Sequence, residues 1–176
     1  SKDALEYLQH QNYPIVVKAD GLALGKGVII AQDKSQAVEA VKSIMDEKVF
    51  GSVGDRIVIE EFLSGREFTV AMIDDGEPRI LPIVEITFDH LPKRIKKIDS
   101  YEVKWVYDNP NSLVDPLICP AKLDKETEDK IKKISLDAFN ALDCKDWCRI
   151  DIRLDKNGTP RVLEVNALPG IMPDPK

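Results

Sequence analysis

The chain has 176 residues, with 31 Asp and Glu against 25 Lys and Arg and a formal net charge of −6. That length admits one domain or two small ones with a substantial core, and the acidic balance argues against a general nucleic-acid binder while leaving room for a local basic patch. No apolar run approaches the roughly 20 residues that a membrane span needs, and the first residues do not read as a signal peptide.

In chain order, SKDALEYLQHQ reads as a short helix over 3–10, entered as if in the middle of a longer protein, so an excised piece is expected. YPIVVKA at 13–19 is a strand with proline at its entry. The stretch KADGLALGKGVII at 18–30 then places three glycines and two lysines at a bend between apolar runs, a composition that points to phosphate. It is not a P-loop: Gly21 and Gly25 have three residues between them rather than four, and Gly27 follows Lys26 where a hydroxyl residue is required. The β-branched run after Gly27 reads as a strand instead of a helix. The segment is therefore expected to be a hairpin whose glycine tip folds over a nucleotide, with Lys26 as a solvent-exposed loop lysine.

Asp33 is placed to cap a helix running through Met45, with Gln36 three residues on as in a capping box. Ala37, Val38, Val41, Ile44 and Met45 follow its helical period. FGSVGD breaks the chain, and RIVIEEFL at 56–63 is a strand. REFTVAMIDDGEPRILPIVEI holds two strands around Asp74-Asp75-Gly76, a hairpin signal. Residues 88–114 carry no clear period but contain prolines at 92 and 110 and the basic cluster Lys93, Arg94, Lys96 and Lys97. A loop of that length inside a compact domain is functional or disordered. A helix is expected over 124–142, capped by Asp124, with Ile131, Ile134, Ala138 and Leu142 on one face. Hairpins interspersed with helices predict an α+β fold in preference to a doubly wound parallel sheet. The three cysteines, Cys119, Cys144 and Cys148, have no framework spacing and point to a reducing, cytoplasmic setting. With His10 and His90 the only histidines, ordinary free thiols are preferred to a zinc site.

The most informative stretch is CRIDIRLDKNGTPRVLEVNALPG. Alternation puts Ile150, Ile152 and Leu154 on one face of the first strand and Arg149, Asp151 and Arg153 on the other. In the second strand Leu163 and Val165 share one face, and Val162, Glu164 and Asn166 the other. A turn at 155–158 sets Asp151 opposite Glu164, gathering Asp151, Glu164 and Asn166 beside two arginines. Three oxygen side chains so placed suit a hard cation such as magnesium; the plain alternative is a solvated ribbon with ordinary cross-strand pairs. Pro169-Gly170 turns the chain just beyond, where backbone N–H groups would face an oxyanion.

Taken together, the glycine hairpin, VIEEFLSGREFTV and the Asp…Glu-x-Asn set resemble the ATP-grasp family, whose two α+β subdomains clamp ATP while a carboxylate is joined to an amine through an acyl phosphate. Residues 1–64 are similar to phosphoribosylamine–glycine ligase (glycinamide ribonucleotide synthetase), and residues 65–176, with SYEVKW and CPAKL, to D-alanine–D-alanine ligase. The switch near Gly65 reads as a divergent ligase or a chimera of two relatives. The resemblance implies an N-terminal subdomain at 1–63 and a C-terminal one at 64–176. It implies that Lys18 contacts the phosphates and that Gly21, Gly25 and Gly27 form the loop closing over them. Glu60, Glu61 and Leu63 would form the adenine hinge, although adjacent Glu60 and Glu61 point to opposite sides. Glu67 would hold the ribose, its plain alternative being a surface pair with Arg66 or Arg79. Lys104 would be a second phosphate lysine. Asp151, Glu164 and Asn166 would bind two magnesium ions, with manganese as a substitute. Arg149 and the Gly170 backbone would stabilise the developing oxyanion. Trp105 and Trp147 are expected in the core or at a subdomain contact. The implied partners are ATP and a small amino acid or amine, without nucleic acid or membrane, and a homodimer is compatible with the family. The family's further N-terminal domain helps build the substrate site, so nucleotide binding is expected of this chain and turnover by it alone is not.

Overall fold

A computed structural model describes residues 1–21, 27–88 and 116–169. Gly25, Lys26, the basic run at 93–97, Lys104, Trp105 and Gly170 lie outside these residues. The chain divides into two compact units, with the boundary between Phe62 and Leu63.

The first unit begins with α1 (Lys2–Tyr7), extended by a tight turn over Leu8–His10. Strands β1 (Ile15–Ala19), β2 (Val28–Ala31) and β3 (Ile57–Glu61) form an antiparallel sheet in the order β2-β1-β3. Ile15, Val17 and Ala19 alternate onto one buried face, as the pleat requires. Helix α2 (Lys34–Val41) supplies Ala37, Ala40 and Val41 to the same core. Asp33 caps it, accepting from the Gln36 amide at 2.9 Å, while Gln36 Oε1 accepts from the Gln32 amide at 3.1 Å. This is a capping box shifted one residue outward on its return arm. The α-helix does not run through Met45: from Lys42 to Asp46 the chain widens into a π-helical turn, closed by the Glu47 amide on the Lys42 carbonyl. That turn still delivers Ile44 to the core, fully buried.

The second unit is built on β4 (Glu67–Asp74), β5 (Pro78–Ile80), β6 (Val84–Ile86), β7 (Leu117–Ile118), β8 (Trp147–Leu154) and β9 (Pro160–Asn166), all pairs antiparallel. The path is β7-β6-β4-β8-β9, with β5 paired to the far end of β4. The return strand expected after Asp74-Asp75-Gly76 is split in two. Pro82, which has no N–H, lies in the break, and the register against β4 slips by one residue between Met72↔Ile80 and Thr69↔Val84. Helix α3 (Lys125–Ala141) covers one face of this sheet. Asp124 caps it, accepting from the Thr127 amide at 2.9 Å and the Thr127 hydroxyl at 2.8 Å. Its buried stripe is Ile131, Ser135 and Phe139, with Ile134 and Ala138 at the margin. Leu142, expected on that face, sits at the C-cap and is 63% exposed. Ser135 is tolerated inside because its hydroxyl donates to the Ile131 carbonyl at 2.8 Å. Against α3 lie Phe68, Val70 and Met72 from β4 and Cys148, Ile150, Ile152 and Leu154 from β8. No described helix is long and apolar enough to cross a membrane.

One irregularity sets the faces of β9. From Leu154↔Pro160 to Ile152↔Val162 the hairpin is regular, and then the register shifts so that Asp151 faces Glu164. Leu163 is the extra residue of a β-bulge. Val162 is therefore paired with core-facing Ile152 and packs on the core, which corrects the expectation that it shares a face with Glu164. Past the bulge, alternation restarts in the opposite phase, and Glu164 and Asn166 turn to the face away from α3.

The turn closing this hairpin is held by Asp155. Its Oδ1 accepts from the Asn157 amide at 2.8 Å and the Thr159 amide at 2.9 Å, and its Oδ2 from Arg161 at 3.2 Å. The Thr159 amide bond leads in holding this carboxyl below its ordinary value, aided by the Asn157 amide and Arg161. A depressed carboxyl pKa stabilises the fold above the unfolded value and loses that contribution as pH falls through the folded one. Asp155→Asn is thus expected to lower stability at neutral pH, with the gap to wild type closing as pH drops below about 4; denaturant titrations across pH check this. A second expectation concerns Gly54, where an added Cβ would meet the Ile44 carbonyl oxygen at 2.1 Å. Gly54→Ala should cost about 1–3 kcal/mol through overpacking, read as a lower unfolding midpoint.

Candidate functional site

Two groups of predicted residues emerge, one in each unit. In the first unit, Lys18 stands near the end of β1, level with Val28 on one side and Val58 on the other. Odd-numbered neighbours of β1 enter the core, so Lys18 points to the opposite face. Glu60, paired in register with Val16, lies diagonally across on that face, and its carboxylate forms an ion pair with the Lys18 ammonium. Glu61 is level with Ile15 and exposed, so of the two adjacent acids only Glu60 shares the lysine's face. Leu63, just beyond β3, is half-buried.

The hairpin between β1 and β2 is closed by the Ala19 amide donating to the Gly27 carbonyl at 2.9 Å. The chain leaves β1 through the Asp20 amide on the Arg56 carbonyl and the Gly21 amide on the Ala19 carbonyl, both at 3.0 Å. At Gly21 a Cβ would lie 3.0 Å from Val53 Cγ1, so a larger residue would press on the neighbouring turn. Gly21 and Gly27 thus flank the loop at its two roots.

In the second unit, the face of the sheet away from α3 carries three rungs of side chains. Register aligns Ala71, Arg149 and Asn166 on one, Thr69, Asp151 and Glu164 on the next, and Glu67, Arg153 and Arg161 on the third. Asp151 is the centre. Its Oδ1 accepts from the Thr69 hydroxyl at 2.7 Å and from Arg149 Nε at 3.0 Å. Its Oδ2 accepts from Arg149 Nη2 at 2.9 Å and from Asn166 Nδ2 at 3.2 Å. The same Asn166 nitrogen donates to Glu164 Oε1 at 3.0 Å, and Arg149 Nη2 stands 3.9 Å from that oxygen. The two carboxylates differ in setting: the Asp151 side chain is 13% exposed and Glu164 59%. Asp151 is therefore an anchored acid, while Glu164 is open to a ligand.

Two members of the third rung, Glu67 and Arg153, are buried, while Arg161 at its edge is exposed. Arg153 Nη1 donates to Glu67 Oε2 at 2.8 Å, its Nε donates to the Gly65 carbonyl at 3.1 Å, and its guanidinium lies 5.7 Å from the centre of the Phe88 ring. Burial pulls the Arg153 guanidinium below its ordinary value, against the opposing pull of Glu67. The alternative of a surface pair for Glu67 is corrected here: its partner is Arg153, while Arg66 engages Glu85 and Arg79 engages Asp75. Thr69 was missed by sequence reasoning, and Arg153, placed correctly on the polar face, was not read as buried against Glu67. Thr69 carries no motif of its own, and an arginine on a polar face gives no sign of burial until the neighbouring strand is placed. Trp147 is half-buried at the start of β8.

Asp151, Glu164 and, with its amide turned, Asn166 Oδ1 make an all-oxygen donor set of the kind hard divalent cations take. Among the described residues no group of three His, Cys, Asp or Glu gathers, so the set depends on the carboxamide. Arg149 supplies positive charge at the same place, and at Asp151 it makes the bidentate contact that a guanidinium favours.

Comparison with known proteins concerns the chain as a whole. The family model described as D-ala D-ala ligase C-terminus matches residues 2–173. The chain is 32% identical over 167 residues to a D-alanine–D-alanine ligase of Mannheimia succiniciproducens, covering 95% of this chain and 48% of that protein. It is 36% identical over 173 residues to a phosphoribosylamine–glycine ligase of Leptospira interrogans, covering 94% of this chain and 38% of that one. Each kind of relative aligns along nearly the whole chain, and the chain spans under half the length of either. Among solved structures, the D-alanine–D-alanine ligase from Bacillus anthracis complexed with ATP matches with a TM-score of 0.61 at 29% identity, over 97% of this chain and 47% of that one. The α+β architecture, these likenesses and the family match agree: the chain belongs to the D-ala D-ala ligase C-terminal family, the ATP-grasp domain of carboxylate–amine ligases.

Proposed function

We propose that this chain is the Mg-ATP-binding core of a ligase that activates a carboxylate as an acyl phosphate and passes it to an amine. The observation that carries the reading is the convergence of Asp151, Glu164, Asn166 and Arg149 on two adjacent rungs. Bound magnesium would neutralise phosphate charge there. Asp151 and Glu164 would hold the metal, with Asn166 completing the set through its oxygen. Arg149, once shared between Asp151 and the incoming ligand, is placed to stabilise negative charge developing at the reacting carbonyl. Lys18 is assigned to the ATP phosphates and would exchange its Glu60 partner for them. Gly21, Gly25 and Gly27 are assigned to the loop over those phosphates, and Glu60, Glu61 and Leu63 to the adenine side. Glu67 is assigned to the ribose, oriented by Arg153; Lys104 and the Gly170 backbone complete the set. No protein nucleophile is required, so these side chains act by positioning and charge. The amine is a small amino acid or related compound; the relatives' names offer D-alanine and phosphoribosylamine as the first amines to try, with D-alanine or glycine supplying the carboxylate. We assign the protein to the cytoplasm.

Calorimetric titration with a non-hydrolysable ATP analogue tests the reading: affinity should rise when magnesium is added and fall when it is chelated. Glu164→Gln should remove most of the magnesium-dependent gain, about tenfold or more, with little change in melting temperature because the side chain is exposed. Equal affinity with and without metal sinks the assignment. Deleting Leu163 tests the geometry from the other side. Without the extra residue Glu164 follows Val162 directly in a regular ladder, still opposite Asp151 and on the outer face, so the magnesium-dependent gain should be retained.

A further inference from the structure

The donors to Asp151 come from two sources. Arg149 and Asn166 belong to the β8–β9 hairpin itself and are ligand-facing groups in the reading above. Thr69 comes from β4, outside that hairpin, and is level with Asp151 across the strand pair. Its hydroxyl donates to Oδ1 at 2.7 Å, the shortest of the four contacts to this carboxylate. A hydrogen bond to an ionised acceptor is stronger than a neutral one. A threonine on a strand is also stiff about χ1, so its hydroxyl is held in place by the backbone. Phe68 and Val70 on either side of it are fully buried in the core and lock β4 in position. The hydroxyl is thus a fixed point on a central strand.

From this juxtaposition we propose that Thr69 is a positioning residue for the cation site. It holds Asp151 by Oδ1 so that Oδ2 stays aimed along the rung toward Glu164, in register at Asp151↔Glu164. When a cation arrives, Arg149 Nη2 and Asn166 Nδ2 must leave Oδ2, but the Thr69 bond to Oδ1 is kept. The carboxylate then meets the metal without a search over its own rotations. This rests on the reading of Asp151 as a metal ligand, and it adds a residue that makes no contact with metal or nucleotide.

The test is Mn2+ binding to the intact chain in the presence of a non-hydrolysable ATP analogue, read by electron paramagnetic resonance, with thermal unfolding measured on every variant. Thr69→Val keeps the shape and removes the hydroxyl; Mn2+ affinity should fall about tenfold or more, as for partners that orient metal ligands. Thr69→Ala, which also lacks the hydroxyl, should fall as far and serves if valine disturbs folding. Thr69→Ser should restore binding. Wild-type affinity in Thr69→Val or Thr69→Ala while Asp151→Asn loses Mn2+ overturns the role of Thr69 and leaves the metal site standing. So does a Thr69→Ser variant as weak as the valine one, because packing of the methyl would then be the cause. Undiminished Mn2+ binding in Asp151→Asn overturns the metal reading and this proposal with it.

Discussion

A single inserted residue governs the candidate site. Leu163 offsets β9 against β8 by one position, and because side chains alternate with period two, that offset exchanges the faces of everything beyond it. Val162 stays in the core with Ile152, while Glu164 and Asn166 come round beside Asp151 and Arg149. With Leu163 in the chain, an unbulged hairpin could not both bury Val162 and present Glu164 and Asn166 on the outer face. The bulge therefore joins a packing requirement to a chemical one. It is reinforced from the turn end by Asp155, which fixes the start of the register through three donors.

Both units follow one plan. A helix covers one face of an antiparallel sheet, α2 with its alanines in the first unit and α3 with Ile131 and Phe139 in the second. The opposite face carries the charged side chains, Lys18 with Glu60 among valines in one unit and the three rungs in the other. Exposure increases from Glu67 and Arg153 through Asp151 to Glu164. Glu67 and Arg153 are enclosed, with the Arg153 guanidinium against the Phe88 ring. Asp151 is largely enclosed and tied by hydrogen bonds, and Glu164 is open. The closed end gives rigidity and the open end gives access, an ordering suited to a site that holds ligands firmly yet admits them.

Much of this was legible in residue order. The caps at Asp33 and Asp124 were readable from side chains that compete for helix-start amides, the strands from alternation, and the Asp74-Asp75-Gly76 turn from its demand for positive φ, which Gly76 meets at 118°. The acid set was legible as well, because Asp151, Glu164 and Asn166 stand on two strands joined by one short turn. Less legible were features in which a neighbour from far along the chain decides the outcome. The π-helical turn after Val41 brings the Ile44 carbonyl against Gly54, and the break at Pro82 interrupts a strand that alternation alone would continue.

By itself the sequence determined the local alphabet: which segments are strand or helix, where they start, and which oxygen-bearing side chains lie close along the chain. Those properties depend on backbone preference and on spacing of a few residues, which a linear string contains. Only the tertiary structure decided that Glu67 pairs with a buried arginine, that Val162 turns inward, and that a threonine 82 positions from Asp151 donates to its carboxylate. Each of these depends on which strand lies beside which and in what register, and register is chosen by the packing of the whole sheet rather than by any segment within it.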